Sequence, residues 1–102
     1  MIDMNTGIVF RRPYDLIIRD LMEAVQKIEN FYEFIEMARE DWNALGGDEQ
    51  KDCIRAISND VFYGLGGQPV LRMGAGTVSY DREKGYIKIF DGEKCTQIIS
   101  LY

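Results

Sequence analysis

An apolar stripe of helical period between Tyr14 and Leu45 constrains the fold more than any other feature of this sequence. Large apolar side chains recur there every three or four residues, and neither glycine nor proline interrupts them before Gly46. That spacing is typical of an amphipathic helix. Proline suits a first helical turn and paired glycines suit a helix end, so the pattern predicts a single helix over residues 13–45.

Such a helix would be too long for a small subunit to cover. At 1.5 Å per residue it would form a rod of about 48 Å, whereas a domain of this length has a radius of gyration of about 13 Å. Either the helix breaks near Glu29-Asn30 or a second chain covers the overhang. Because the stripe keeps its phase beyond Asn30, a homodimer is favoured. Its predicted seam consists of Ile28, Phe31, Ile35, Arg39 and Trp42.

The seam contains one charged residue. Arg39 takes a position where an apolar residue is expected. An arginine in such a seam snorkels to the surface or pairs with a carboxylate, and in a dimer it can fix the register of the two helices. We therefore interpret Arg39 as structural rather than as an anion-binding residue.

The remainder of the chain predicts one shorter helix followed by a sheet. Asp48 is expected to cap a helix over residues 48–64, because its carboxylate can accept a free N–H of the first turn. Beyond Pro69 the period changes to that of β-strands, with glycine-containing turns between short apolar runs. The predicted strands are 70–73, 77–80, 86–90 and 95–101.

Together these elements predict a single α+β domain over residues 1–102. An N-terminal helical hairpin in residues 13–64, with one long and one shorter helix, packs on a C-terminal antiparallel meander of three or four strands in residues 69–102. Residues 1–12, which include the β-prone run Thr6–Phe10, form either an arm or an edge strand.

The register of the last hairpin has two alternatives. Asp91-Gly92 is typical of a type I′ turn, and a two-residue loop there pairs Lys94 with Ile89. A one-residue bulge instead pairs Cys95 with Ile89 and brings Ile99 to that face.

The last strand carries adjacent isoleucines, Ile98 and Ile99. Successive side chains of a strand point to opposite faces of the sheet, so this strand is apolar on both faces. We expect helices to cover one face and a partner to cover the other.

The negative charge is concentrated in one segment. The chain has a net charge of −5, and residues 29–49 carry seven acidic side chains against Arg39 alone, a net of −6. On a continuous helix the spacing 4, 3, 4 would place four carboxylates on one face: Glu29, Glu33, Glu36 and Glu40. A solvated face is the favoured interpretation, and a docking surface for a basic protein is the alternative. Phosphate groups prefer lysine and arginine, so neither nucleic acid nor an anionic membrane is an expected partner.

No residue set predicts a catalytic, metal or cofactor site. The chain has no histidine, the commonest general base and metal ligand. The second helix offers only Asp52 and Asp60 as further carboxylates, and the glycine clusters occur where turns are expected rather than between a strand and a helix. We interpret Cys53 and Cys95 as free, buried thiols. The absence of a long apolar run or a signal-peptide pattern indicates a cytoplasmic protein.

The sequence thus favours a small, acidic, non-enzymatic homo-oligomer that binds another protein through the acidic helix face or the sheet. Two alternatives stay open. One is a ligand-binding or enzymatic domain with a pocket between helices and sheet. The other is an acidic mimic of nucleic acid that inhibits a DNA-binding protein.

Overall fold

A computed structural model describes residues 7–102, which form helices followed by a sheet. The elements are α1 (Tyr14–Gln26), a 3₁₀ helix η1 (Phe31–Ile35), α2 (Arg39–Ala44), α3 (Gly47–Gly67), β1 (Val70–Met73), β2 (Gly76–Asp81), β3 (Tyr86–Asp91) and β4 (Lys94–Ser100). The strands pair in the order β1-β2-β3-β4 as an antiparallel meander. α1 and α3 contact each other and pack on the sheet. The predicted α+β fold is confirmed, with four strands.

The core lies between the helix pair and one face of the sheet. The fully buried strand residues that face the helices include Val78, Ile87 and Ile89. Each of α1 and α3 contributes six buried residues. Ring contacts join the arm to the helices, since Phe62 lies edge-on to Phe10 with ring centres 5.6 Å apart.

The predicted single helix over residues 13–45 is wrong, because α1 ends at Gln26. The chain then turns, and Asn30 adopts the left-handed conformation with φ of 61°. This turn is fixed to the β1–β2 turn, where the Ala75 N–H donates to the Glu29 carbonyl oxygen at 2.9 Å. The break therefore lies at the Glu29-Asn30 position that the sequence offered as the alternative.

The apolar residues after the break keep the helical spacing of those before it because both sets pack into the same core, although the backbone between them is not helical. Ile28 and Phe31 are only 3% and 7% exposed within the subunit. The longest dimension of the molecule is 39 Å, shorter than the predicted rod. Since the described residues form no overhanging rod, the original reason for the homodimer prediction is lost. The homodimer stays a prediction.

The second helix is longer than predicted and is capped differently. It spans Gly47–Gly67 rather than 48–64, and the Glu49 carboxylate, not Asp48, accepts the Gly46 N–H at 3.1 Å. Gly64 lies within this helix, at a position where β1 passes close: a Cβ there would lie 3.0 Å from Leu71 Cδ1.

The last hairpin follows neither predicted register, although it does contain a bulge. Asp91 pairs with Lys94, so the loop is Gly92-Glu93. Only Gly92 has positive φ there, which excludes a type I′ turn. Cys95 lies opposite Phe90 and Gln97 opposite Ile89, which leaves Thr96 as the extra residue. The bulge turns Ile99 and Leu101 into the core, where they are 2% and 0% exposed.

The described part of the N-terminal segment is an arm rather than an edge strand. Residues 7–12 contain a single-residue bridge at Val9 and no strand. Ile8 is fully buried, and the N–H groups of Arg11 and Arg12 donate to the Leu101 carbonyl oxygen at 2.7 and 3.1 Å. Thr6 and the five residues before it lie outside the described residues.

The contact between the two turns yields a first prediction. A methyl group on Gly74, which has φ of 55°, would overlap the carbonyl oxygens of Glu29 and Asn30. Gly74→Ala should lower the free energy of unfolding by about 3 kcal/mol or more, because it adds a backbone clash to an unfavourable φ. Urea denaturation followed by circular dichroism measures this loss.

Gly47→Ala is the matched control, since nothing lies within 4 Å of the added methyl at the start of α3. It should leave stability unchanged or raise it by up to about 1 kcal/mol. Equal stability of the two variants would contradict the assigned role of Gly74.

Candidate functional site

The four predicted partner-binding glutamates do not share one helix face. Glu29 lies in the turn after α1, Glu33 in η1, Glu36 in the left-handed residue that follows η1, and Glu40 in α2. All four are exposed, and none forms an ion pair within 4 Å of any residue in 7–102. They remain a solvated acidic surface, spread over several backbone segments.

The residues of the predicted dimer seam are largely packed within the subunit. Ile28 and Phe31 belong to the core, while Ile35 and Trp42 are half-buried against it. The Trp42 ring lies edge-on to Phe31, with ring centres 4.9 Å apart, and stacks on Tyr32 at 5.9 Å. These contacts attach α2 to η1, so the burial of the seam needs no second chain.

Arg39 has a structural role within the subunit, where it binds neither a carboxylate among residues 7–102 nor a second helix of a seam. Its Nε donates to the Tyr32 hydroxyl oxygen at 3.1 Å and its Nη2 to Asn30 Oδ1 at 2.9 Å. The Tyr32 hydroxyl donates to the same Asn30 oxygen at 2.9 Å. The hydrogen bond to Tyr32 is the main reason that the pKa of Arg39 is raised above its usual value. Arg39 thus holds the left-handed turn at Asn30.

Trp42 should be the anchor of α2. Trp42→Ala removes both ring contacts, and because the side chain is half-buried we expect the free energy of unfolding to fall by about 2 kcal/mol. Urea denaturation measures the loss. Asn43→Ala, at an exposed position of the same helix, is the control and should change stability by less than about 0.5 kcal/mol.

Trp42 is the single tryptophan of the chain, so its fluorescence reports this contact. In the unsubstituted protein the fluorescence and circular-dichroism midpoints should coincide. A lower fluorescence midpoint would mean that α2 detaches before the core unfolds, which would contradict the anchoring role.

A groove of about 600 Å³ lies between α1 and α3. Its lining residues are Asp15, Leu16, Arg19, Met22, Glu23, Gln26, Lys51 and Arg55. Three basic and two acidic side chains give it no dominant charge, and Glu23 lies 3.6 Å from Lys27 outside it. The space between helices and sheet is filled by core side chains, so the structure gives no support to the predicted pocket there.

Three side chains that carry nucleophilic groups, those of Ser58, Cys53 and Cys95, lie in different environments. Ser58 is fully buried, and its hydroxyl has no hydrogen-bond partner among residues 7–102. Cys53 and Cys95 are free, as expected, but Cys53 is half-buried and Cys95 is exposed, so the prediction that both are buried is wrong. Burial raises the pKa of the Cys53 thiol, which lowers its thiolate fraction at neutral pH.

Residues 7–102 contain neither a metal-binding cluster nor a membrane-spanning helix. Within that range no three acidic or cysteine side chains are grouped to hold a metal ion. None of the helices described there is long and apolar enough to cross a membrane.

The face of the sheet turned away from the helices is the remaining surface, and we call it the outer face. Pairing across the four strands aligns Val70, Ser79, Lys88 and Ile98 in one central row. Val70 is 51% exposed and Ile98 55%, whereas the neighbouring Ile99, which faces the helices, is 2% exposed. The predicted two-sided apolar character of the last strand is therefore confirmed, and no helix of residues 7–102 covers its Ile98 side.

Two flanking rows complete the outer face. One row contains Arg72, Thr77, Phe90 and Cys95, and the other contains Asp81, Tyr86 and Ser100. Phe90 and Tyr86 are half-buried, and Lys88 Nζ lies 5.3 Å from the centre of the Tyr86 ring. The face thus combines aromatic and aliphatic side chains with both signs of charge.

The aromatic residues of the sheet could be identified from the sequence, but their faces could not. Tyr80 lies on the helix side, where its hydroxyl oxygen accepts the Val9 N–H at 3.3 Å. Only strand register separates it from Tyr86 and Phe90, which lie on the outer face. The alternation of side chains along β3 separates its residues into two faces. Which of the two faces the helices is decided only by the pairing of β3 with its neighbours.

No protein-family profile, curated protein or solved structure matches this chain.

Proposed function

We propose that this chain is a non-enzymatic protein-interaction module that binds its partner with the outer face of the sheet. The observation that carries the proposal is the exposure of Val70 and Ile98 at the two ends of the central row. Single exposed apolar residues are ordinary on protein surfaces. These two share one face with Tyr86 and Phe90, and a face that exposes several aliphatic and aromatic side chains is typical of a protein contact.

The composition of the outer face supports a protein partner. Protein interfaces combine an aromatic and aliphatic centre with a polar rim, and they are enriched in tyrosine, phenylalanine and arginine. Tyr86 and Phe90 lie on β3, one of the two inner strands, while Arg72 and Asp81 lie toward opposite ends of the face. Aromatic and aliphatic side chains thus surround Ser79 and Lys88 at the middle of the face, and further charges lie toward its ends.

The residues available for catalysis and the state of the cysteines are consistent with a non-enzymatic module in the cytoplasm. The chain has no histidine, and Ser58 has no hydrogen-bonded base within the described part of the chain. We place the module in the cytoplasm, a location supported by its two free cysteines, because thiols persist in reducing compartments.

Site-specific photo-crosslinking tests the proposal. A benzophenone amino acid is introduced at Ile98 in the full chain, which is produced in its native cells and irradiated. The matched control is the same substitution at Tyr63 on α3, which is 49% exposed. We expect discrete protein adducts from position 98 and none from position 63. The same adducts from both positions, or none from position 98, would overturn the proposal.

The acidic surface is a competing contact, for a basic protein or as a nucleic-acid mimic. Its four carboxylates have no ion-pair partner within residues 7–102, which leaves them free to bind. Under our proposal the triple variant Glu33→Gln, Glu36→Gln, Glu40→Gln should keep the adducts of position 98 within about twofold, since those residues lie outside the outer face. Loss of the adducts in a normally folded triple variant would move the contact to the acidic surface.

A further inference from the structure

We infer that the outer face binds a second copy of this chain, with the two sheets packed face to face. The two-fold axis lies in the plane between the sheets and runs across the strands. The inference rests on the proposed function, because it takes the outer face to be the contact surface. It specifies the partner and the geometry of the contact.

The edges of the sheet are protected, which favours contact through the face. On β4, the extra residue Thr96 interrupts the regular ladder near one end. At the other end Arg12 Nη1 donates to the Ser100 carbonyl oxygen at 2.8 Å, and Asp20 holds the same guanidinium at 2.8 Å. At the opposite edge β1 has four residues and contacts η1. Bulges, short strands and charged side chains are devices that prevent edge-to-edge pairing.

A two-fold axis along the central row makes the apolar parts of the face self-complementary. Residues of that row then meet their own copies, so Ile98 packs on the partner's Ile98 and Val70 on the partner's Val70. The two flanking rows exchange, which places Phe90 opposite the partner's Tyr86, and symmetry repeats this contact. Paired aromatic rings stabilise a contact beyond the apolar area that they bury.

The same operation pairs opposite charges. Arg72 and the partner's Asp81 come to lie one strand spacing apart, about 4.8 Å laterally, and symmetry forms this pair twice. Asp81 is already positioned, because its Oδ1 accepts the Lys84 N–H at 3.0 Å. Lys88 meets its own copy near the axis, but its Nζ is drawn over the Tyr86 ring and away from the axis.

The alternative axis, parallel to the strands, is less favourable. It would oppose Arg72 to the partner's Cys95, which leaves that guanidinium without a counterion, and it would place Asp81 opposite the partner's Tyr86, with the partner's Lys88 as the nearest cation. A single-stranded nucleic acid could also stack on the aromatic rings. The outer face sets only two cations against one carboxylate, however, which is a weak attraction for a phosphate backbone.

The size of the face determines the strength of the dimer. Three rows across four strands cover about 400 Å² per copy from strand spacing and rise, whereas a standard interface buries about 800 Å² per partner. We therefore expect a reversible dimer that forms with rising concentration, rather than a permanent one.

A charge-exchange experiment tests both the partner and the geometry. Sedimentation equilibrium in 0.15 M salt is run on the unsubstituted protein, on Arg72→Glu, on Asp81→Lys and on an equimolar mixture of the two variants. Each variant alone converts both ion pairs into like-charge contacts and should self-associate about tenfold more weakly. The mixture should recover the original affinity, because the new carboxylate of one variant meets the new ammonium of the other.

Arg55→Glu and Asp52→Lys are the matched controls, since they make the same charge changes at exposed positions of α3. They should self-associate as the unsubstituted protein does. Alkylation of Cys95 gives a second measurement: in a Cys53→Ser background its rate should fall as protein concentration rises, because Cys95 lies on the outer face.

A monomer at every concentration, or a mixture no stronger than its separate variants, would overturn the inference. If position 98 then crosslinks a different protein, the proposed function stands and only the second copy is excluded. Binding of a short oligothymidine by the monomer, lost in Phe90→Ser, would likewise overturn the inference in favour of nucleic acid.

Discussion

The rest of the structure depends on the close contact between the turn after α1 and the β1–β2 turn. Gly74 lies against the carbonyl groups of Glu29 and Asn30, and the Ala75 N–H donates to Glu29. This contact fixes where α1 ends. It also lets η1 fold back against β1, and the Trp42 ring and the Arg39 guanidinium then attach α2 to η1 and to Asn30. A continuous helix would instead have carried these residues beyond the sheet.

The contact also explains why the sheet has one covered and one open face. Because the chain folds back after α1, the apolar residues of both helical segments enter the core on the same side of the sheet. The bulge in β4 then turns Ile99 inward and Ile98 outward. Leaving Ile98 and Val70 about half exposed forgoes roughly 1 kcal/mol each of apolar transfer energy. A protein contact on the outer face would recover part of it.

Local sequence patterns predicted most of the helices and strands. The break after α1 and the register of the last hairpin depend on contacts between distant residues, which these patterns do not show. The start of α1, the four strands and the meander follow from capping, alternation and turn residues, which act between neighbours. The break at Asn30 depends on Gly74, far along the chain. The helical period of Ile28 and Phe31 is the same whether they continue a helix or fold back into the core. The outer face likewise required strand register, which the bulge at Thr96 alone shifts by one residue.

Charge distribution links the candidate surface to the acidic segment that the sequence revealed. Residues 29–49 carry a net charge of −6 in a chain of −5, so the remaining residues sum to +1. The acidic residues belong to the helical layer and to the turns around it, whereas the outer face lies across the sheet from the packed helices. Two copies that meet through their outer faces keep two sheets between their acidic segments, and at physiological salt repulsion is screened beyond about 8 Å. Contact through the helical layer would bring the acidic segments of the two copies together. The concentration of negative charge in residues 29–49 therefore favours association through the sheet.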